Sequence, residues 1–329
     1  MPYPADYGGA IDVFYKIKAL AELGVEVHLH AFNYGRGPSR VLKKYCAGVH
    51  YYKRKKMMNP INITLPYIVE TRKSQNLKRN LLKDDSPIVF EGLHTTYYLD
   101  GQEFENRRKI VRMHNIEHLY YANLAKAENS FFKRTFFQFE SKRLRAYQNI
   151  LEYADYIAAI SPADNDYLNL KYGNSFYLPV FHNGDSVDSE QGRGKYALYH
   201  GNLGIAENNE AALFLANEVF NKIDYPLIIA GRKPLKELVE SISRNNNISL
   251  KANISGKKIQ DLIKNADINV LPTFQNTGIK LKLINVLYHG RHCVVNPKMV
   301  MNTGIKNSYY VAESANEMRD LINDIKVRD

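Results

Sequence analysis

The chain has 329 residues, of which 45% are hydrophobic and 24% are charged. This balance is typical of a soluble globular protein with room for two domains. The formal net charge of +11 favours anionic partners, namely nucleic acid, an acidic membrane face or phosphorylated ligands. Neither a zinc-finger spacing nor an RNP-like aromatic signature occurs, which argues against nucleic acid. A membrane surface or an anionic substrate is therefore favoured, with plain solubility as the simpler explanation.

Cysteine usage and apolar runs bear on the compartment. Cys46 and Cys293 lie far apart, which indicates a reducing compartment without a disulfide framework or a thiolate metal site. No run is apolar enough to span a bilayer, and the first four residues do not resemble a signal peptide. We expect a cytoplasmic protein, either free or peripheral on the inner face of the membrane.

The first half of the chain alternates between helix and strand patterns. A loop containing Gly8 and Gly9 leads into a helix over about residues 10–23, and alternation from Val25 to His30 predicts a strand. Such an opening normally follows a strand, so either the sequence starts one strand late or the fold tolerates the loss of its first strand. Further strands are predicted over 50–52, 87–91, 109–113, 156–160 and 177–180. A long helix over 119–151 has a mainly aromatic stripe that we expect to face the core, formed by Phe131, Phe132, Phe136, Phe139, Leu144 and Tyr147.

The stretch from 186 to 195 is polar and contains glycine, which makes it the best linker in the chain. After it the alternation restarts, with helices over about 208–220, 257–265, 280–288 and 315–325 and strands over 196–200, 227–230, 248–252, 267–271 and 293–295. Alternation on both sides of a linker predicts two doubly wound α/β domains, over residues 1–185 and 186–329.

In parallel sheets, ligands bind at the carboxyl ends of the strands. The predicted strand ends, together with the loop before the first helix, carry glycines and polar side chains that suit this role. They are Gly8, Gly9, His94, His114, His182, Asn183, Gly201, Asn202, Arg232, Thr277 and Gly278. If the two domains face each other, these loops line one cleft.

Residues 271–297 have a strand–turn–helix–strand pattern. The turn opens onto Lys280 and Lys282. Free backbone N–H groups at the start of the helix, its dipole and the two lysines would favour a diphosphate. An ordinary βαβ crossover explains the same pattern equally well.

Seven short motifs resemble retaining GT-B glycosyltransferases of the family-4-like, or group 1, kind, and they stand in the family's order. They are PADYGGA, MHNIEHLYY, AAISPAD, HNGDSVD, YHGNLGIAENNEA, LIIAGR and NTGIKLKLINVLYHGRHCVV. The resemblance covers nearly the whole chain. It implies two Rossmann-like domains facing across a cleft. Residues 1–185, without their first strand, would be the acceptor side, and residues 186–329 would bind the nucleotide sugar.

The resemblance also implies roles on the acceptor side. His114 would contact the donor sugar at its reacting face and is the candidate catalytic residue. A general base is not required in the front-face displacement ascribed to retaining members, because the leaving phosphate oxygen takes the acceptor's proton. The alternative is a core or capping histidine. Glu91 and His94 would line the acceptor side, whereas Glu117 and His118 would be solvated helix residues.

For the donor, the resemblance implies a metal-independent site in which cations and a helix dipole stabilise the departing diphosphate. The residues at matching positions are Gly8, Gly9, Gly201, Asn202, Arg232, Thr277, Gly278, Lys280 and Asn285. Lys282 would face elsewhere on its helix and lie at the surface. Thr277 and Asn285 stand where many members have glutamates. An amide can still bond two ribose hydroxyls, but without the strength of a charged acceptor.

The leading hypothesis is a hexosyltransferase-type glycosyltransferase that needs no cofactor. It would move a sugar from a UDP- or GDP-sugar to a saccharide or lipid-linked acceptor with retention, in cell-surface polysaccharide synthesis. The alternative is a catalytically impaired GT-B protein that binds a nucleotide sugar or serves as a partner subunit. An epimerase on the same fold ranks third, because it needs more carboxylates than the matched strand ends offer.

Overall fold

The computed structural model describes residues 1–33, 35–55, 64–128, 130–184, 186–274 and 281–327. These residues divide into two compact units. The continuous part of the first unit ends at Asn183, and the second begins at Gly184. Each unit has its own parallel sheet structure and its own hydrophobic core. The predicted α/β class is therefore confirmed, while the assignment of acceptor and donor sides to the two units stays a prediction.

The first unit contains one two-stranded and one four-stranded parallel sheet. Their strands, in spatial order, are β1 (His28–Asn33) with β2 (Gly48–Lys53), and β3 (Ile88–Glu91), β4 (Lys109–Met113), β5 (Tyr156–Ala159) and β6 (Ser175–Tyr177). Its helices are α1 (Gly8–Glu22), α2 (Tyr67–Glu70), α3 (Gln75–Leu81), α4 (Glu117–Ala127), α5 (Phe131–Tyr147) and α6 (Pro162–Tyr172). Within the described ranges no ladder joins the two sheets.

Strands β1 and β6 begin away from their predicted positions. The predicted strand over 25–30 starts only at His28, because Gly24 at φ +79° and the bond from Val25 N to Leu20 O close helix α1 first. The predicted strand over 177–180 lies instead at Ser175–Tyr177. Pro179 has no N–H for a ladder, and its carbonyl accepts a hydrogen bond from Arg112.

The predicted long helix over 119–151 is two helices. The chain is extended at Glu128 and Ser130, with ψ of 127° and 120°, so α4 and α5 form a hairpin. The predicted buried stripe is also partly wrong, since Phe131, Phe132 and Phe139 are exposed by 71%, 85% and 55%. The buried side of α5 is centred on Glu140 and Leu144, of which only Leu144 belongs to the predicted stripe.

The second unit is a six-stranded parallel sheet in the order β12-β11-β10-β7-β8-β9. The strands are β7 (Ala197–Asn202), β8 (Leu227–Arg232), β9 (Ile248–Ala252), β10 (Ile268–Leu271), β11 (His292–Val295) and β12 (Tyr310–Val311). The helices are α7 (Ala206–Phe214), α8 (Lys236–Ile242), α9 (Gly256–Asn265), α10 (Leu281–His289), α11 (Pro297–Val300) and α12 (Ala315–Val327). The chain winds first to one side of β7 and then to the other. The crevice between β7 and β10 is therefore the topological switch point, where such folds bind ligands.

Two further expectations concern the whole sequence. Cys46 and Cys293 are both buried and neither is in a disulfide. None of the helices in the described ranges combines the length and apolarity that crossing a bilayer requires.

Candidate functional site

In the first unit, charged side chains converge at the carboxyl ends of β3 and β4. Glu91 is the last residue of β3 and His114 follows β4. Their side chains meet, with 3.3 Å between His114 Nε2 and Glu91 Oε2. Lys16 on α1 places its Nζ 2.6 Å from Glu91 Oε1. Two residues that the sequence predicts for this site are therefore in contact, and a lysine that it does not predict joins them.

Beneath them lies a buried ion pair. Arg112 donates from Nε and Nη2 to the two carboxylate oxygens of Asp12 at 3.1 and 2.9 Å, and the N–H of Phe181 donates to the same carboxylate at 2.8 Å. Burial alone would raise the pKa of Asp12, but the bond from Arg112 and the charge of Lys16 hold it below its ordinary value. The sequence offers little sign of this pair, because its members are 100 residues apart.

This cluster could be read as a metal site. Ligand atoms of Asp12, Glu91 and His114 lie within 4.8 Å of one another. However, Lys16 and Arg112 already compensate the two carboxylates. Burial alone would raise the pKa of Glu91, but the charge of Lys16 and the hydrogen bond with His114 hold it below its ordinary value. The residues therefore fit an internal ion-pair network better than they fit a divalent cation.

His94 lies beside His114. The intervening Gly92 has φ +85°, and a Cβ there would come within 2.8 Å of the His94 ring and 3.7 Å of the His114 ring. The positive φ and the close approach of the His94 ring both favour glycine at this position. Burial, aided by the positive charge of Arg72, lowers the pKa of His94 well below 6.5, so this imidazole is neutral at physiological pH.

The expectation that Glu117 and His118 are solvated is wrong, since each is only 8% exposed. Burial raises the pKa of Glu117 to about 7 against the opposing charges of His114 and Arg72. His118 Nδ1 bonds Gln148 Oε1 at 3.0 Å. The first turn of α4 packs inward, so a carboxyl that can exchange a proton near neutral pH lies close to His114. Residues 116–118 show no apolar periodicity, so the sequence pattern could not have revealed that the Glu117 carboxyl is buried.

In the second unit, three predicted donor residues come together at the carboxyl ends of β7 and β8, beside the switch point. Gly201 pairs with Gly231, and Asn202 pairs with Arg232, at the carboxyl ends of β7 and β8. A Cβ on Gly231 would lie 1.9 Å from the carbonyl oxygen of Gly201. Glycine at 231 thus allows the two strand ends to approach and brings Arg232 next to Asn202.

The turn after β7 is internally bonded. Asn202 accepts at its side-chain oxygen from Gly204 N at 3.3 Å and at its carbonyl from Asn208 Nδ2 at 3.1 Å. Asn208 Oδ1 in turn accepts from Lys282 Nζ at 3.1 Å, and this ammonium lies 5.0 Å from the Tyr199 ring centre. The expectation that Lys282 faces elsewhere and lies at the surface is wrong, because it reaches the end of β7.

Two further residues here have no counterpart in the sequence predictions. His200 is 7% exposed, and its Nε2 has no hydrogen-bond partner within the described ranges. Burial and the charge of Lys282 lower its pKa to about 3, so it is a neutral imidazole. Glu207 on α7 accepts from Thr273 Oγ1 at 2.5 Å, which ties α7 to the end of β10.

The remaining predicted donor residues are placed as follows. Asn285 is half-buried on α10, and its Oδ1 accepts from Gln260 Nε2 of α9 at 3.5 Å. Gly8 and Gly9 are the first two residues of α1 in the first unit, where backbone N–H groups lack helical acceptors. Thr277, Gly278 and Lys280 lie outside the described residues. The donor roles of all these residues stay predictions.

The fold defines the class of protein. The structure matches a glycosyltransferase from Rickettsia africae with a TM-score of 0.63 and 13% identity, over 97% of this chain and 85% of that one. It also matches HepE of Anabaena, solved in complex with UDP and glucose, with a TM-score of 0.59 and 10% identity over 92% and 90% of the two chains. The chain therefore has the two-domain α/β fold of GT-B glycosyltransferases.

Sequence comparison refines this class for the second unit. Residues 194–325 match the family model described as "Glycosyl transferases group 1". Across more of the chain, an uncharacterised 44.6 kDa protein in the cps region of Klebsiella pneumoniae is 25% identical over 306 residues. That match covers 87% of this chain and 78% of the relative.

Proposed function

We propose that this protein transfers a sugar from a UDP- or GDP-sugar to a saccharide or lipid-linked acceptor, with retention at the anomeric carbon. Its role would be in cell-surface polysaccharide synthesis, in the cytoplasm or at the inner face of the membrane. The observation that carries the proposal is the match of residues 194–325 to glycosyl transferases group 1, with Gly201, Asn202 and Arg232 at the ends of β7 and β8 and Lys282 bonded to Asn208 of the following helix. HepE has been solved with UDP and glucose, and the Klebsiella relative comes from a cps region. Both support the choice of substrates.

Leaving-group stabilisation would be the chief catalytic task of the second unit. As the bond to the sugar breaks, negative charge grows on the diphosphate. Cations fixed in advance lower the barrier because they need no reorganisation. Arg232 supplies a planar guanidinium suited to two phosphate oxygens. Lys282 adds charge at the end of β7, and we assign Lys280 to the same diphosphate. No metal ion or cofactor enters this scheme.

The first unit would supply the sugar and acceptor contacts. His114, held by Glu91 and backed by Asp12, would contact the donor sugar. Glu91 and His94 would border the acceptor. A neutral His94 can accept a hydrogen bond from an acceptor hydroxyl, which a protonated imidazole cannot do. The leaving phosphate oxygen would take the proton of that hydroxyl.

A panel assay tests the proposal. Purified full-length protein is incubated with UDP- and GDP-sugars, with and without saccharide or lipid-linked acceptors, and nucleotide release is measured. We expect release with one donor class, an α-configured product from an α-configured donor by NMR, and loss of most activity in His114→Ala. Product of inverted configuration would contradict retention. Silence across the panel from cooperatively folded protein would contradict the enzyme assignment.

A second candidate is a nucleotide-sugar-binding or partner subunit without catalytic activity. Asn285 favours it, because an amide bonded to Gln260 replaces a charged ribose acceptor. This candidate predicts binding of UDP or GDP without release from any sugar donor.

A further inference from the structure

The exposed side of helix α5 carries aromatic side chains that no part of the proposed chemistry uses. Phe132 is 85% exposed, Phe131 71% and Phe139 55%, and Leu119 of the neighbouring helix α4 is 50% exposed. The rings of Phe131 and Phe132 contact each other, with 5.9 Å between centroids, where α5 begins. Isolated apolar side chains at a surface need no explanation, but a group of this size marks a contact surface.

The helix geometry explains why these rings remain outside. Positions 132, 139, 143 and 146 recur at helical spacing and lie on one side of α5. The neighbouring side packs inward. The ring centres of Phe136 and Tyr67 are 6.1 Å apart, and the Glu140 carboxylate accepts a hydrogen bond from the N–H of Tyr67 at 2.7 Å. The inward contacts of α5 are therefore already made, and the phenylalanines face solvent.

Positive charge surrounds the rings. Arg134, Lys142 and Arg145 are exposed, and helical spacing puts them on the same side of α5 as Phe131. The one acidic residue of α5, Glu140, is fully buried and bonded to Arg143. The solvent-facing side of this helix thus presents phenylalanine and cations without a carboxylate of its own. Aromatic side chains next to lysine and arginine on a helix lying parallel to a surface match the interface of an anionic bilayer.

A cavity adjoins the same side of α5. It has a volume of about 390 Å³, and its walls are formed by Thr64, Leu65, Pro66, Lys142, Arg143, Ala146 and Tyr147. The walls are mainly apolar, and the two cations belong to the helix that carries the phenylalanines. An acidic headgroup next to hydrocarbon has the chemistry that such a cavity would accept.

We propose that the exposed side of α5, comprising Phe131, Phe132, Phe139, Arg134, Lys142 and Arg145, docks the protein on an anionic lipid bilayer. The inference rests on the proposed function in that a lipid-linked acceptor would be met at this surface. The phenylalanines enter the interface and the cations lie among lipid phosphates. A bilayer offers apolar contact for the phenylalanines and negative charge for the cations along the whole helix. A protein partner would need an apolar face with acidic groups positioned opposite the cations.

Vesicle sedimentation with the full chain tests this surface. The probes are phosphatidylcholine vesicles with and without 30 mol% phosphatidylglycerol, a fraction chosen as roughly that of an acidic bacterial leaflet. We expect binding to the acidic vesicles that weakens with salt. The double variant Phe131→Ser/Phe132→Ser should bind at least about tenfold more weakly. Lys142→Gln/Arg145→Gln should lose the preference for acidic lipid by about tenfold or more.

The control is Leu170→Ser, because Leu170 is 91% exposed on α6 and away from α5. It should bind vesicles like the wild type. Failure of the wild type to sediment with acidic vesicles would overturn the inference. So would undiminished binding by the phenylalanine variant, or a phenylalanine-dependent dimer by size-exclusion chromatography without vesicle binding.

Donor hydrolysis without vesicles separates this inference from the proposed function. The phenylalanine variant should release nucleotide in solution at the wild-type rate, which also shows that it is folded. Donor hydrolysis without binding to acidic vesicles would contradict only the docking surface. A protein that sediments with acidic vesicles but hydrolyses no donor contradicts only the transferase.

Discussion

Asp12 is fully buried beneath Glu91 and His114, and both of its oxygens are bonded to Arg112. Through the same guanidinium, the carbonyl groups of Leu178 and Pro179 are held next to helix α1. The pair therefore joins α1, β4 and the chain after β6. A network of this kind fixes the position of His114 from below.

We expect Asp12→Asn to lower the free energy of unfolding by about 3–5 kcal/mol, because it leaves Arg112 buried without its counter-charge. Urea denaturation measures the change. The matched control is Glu240→Gln, which removes the Lys236–Glu240 pair, whose side chains are 91% and 54% exposed. This control should cost less than about 1 kcal/mol. Equal effects of the two substitutions would contradict the structural role given to Asp12.

Glu117 predicts an unusual dependence of stability on pH. Burial raises its pKa from 4.5 to about 7, so the folded protein keeps a proton that the unfolded chain has lost between these values. The contribution of Glu117 to the free energy of unfolding therefore falls as pH rises from 4.5 to 7.

Glu117→Gln cannot ionise and should lack this fall. Relative to the wild type, the variant should gain about 3 kcal/mol of stability between pH 4 and pH 8. Urea midpoints measured across this range provide the test, with the exposed Glu152→Gln as a control that should follow the wild type. A constant difference between Glu117→Gln and the wild type at every pH would refute the raised pKa.

At the scale of single elements, the close approach of β7 to β8 shapes the proposed donor site. Gly231→Ala would place a methyl group 1.9 Å from the Gly201 carbonyl oxygen, so the ladder must open at the site. We expect a loss of about 3 kcal/mol or more in urea unfolding, together with weaker nucleotide binding. Gly256→Ala is the control, because no heavy atom lies within 4 Å of its added Cβ. It should leave stability unchanged or raise it by up to about 1 kcal/mol. Similar effects at both positions would contradict this explanation.

The same elements show how far the sequence could predict the fold. The strands Lys109–Met113 and Ile248–Ala252 match their predicted bounds, because short apolar runs between polar turns leave little freedom. Helix α5 shows the limit. Phenylalanines that face a membrane or solvent have the same period as those that face a core, so periodicity alone could not show that Phe131 and Phe132 lie outside.

The residues of the candidate site also divide into those that the sequence could place and those that it could not. Gly201, Asn202 and Arg232 could be placed from sequence, because each stands directly at a strand end. Asp12, Arg112 and Lys282 could not, because their roles depend on partners 66 to 100 residues away. The raised pKa of Glu117 could not be predicted either, because it results from burial and not from neighbours in the sequence.

At the scale of the whole molecule, the net charge of +11 fits two separate demands for anion binding. One is the donor diphosphate proposed to bind at the ends of β7 and β8, and the other is the lipid surface proposed for α5. Because these lie in different units, substitutions at one should leave binding at the other intact.

Calorimetric titration of the full chain with UDP and with GDP tests the central claim most directly. We expect one nucleotide to bind with a dissociation constant in the range of about 1 μM to 1 mM usual for enzyme substrates. Arg232→Gln should weaken that binding about tenfold or more, since it removes a charged donor to the diphosphate, whereas Lys236→Gln should not. Absence of binding by either nucleotide to cooperatively folded protein would contradict the account.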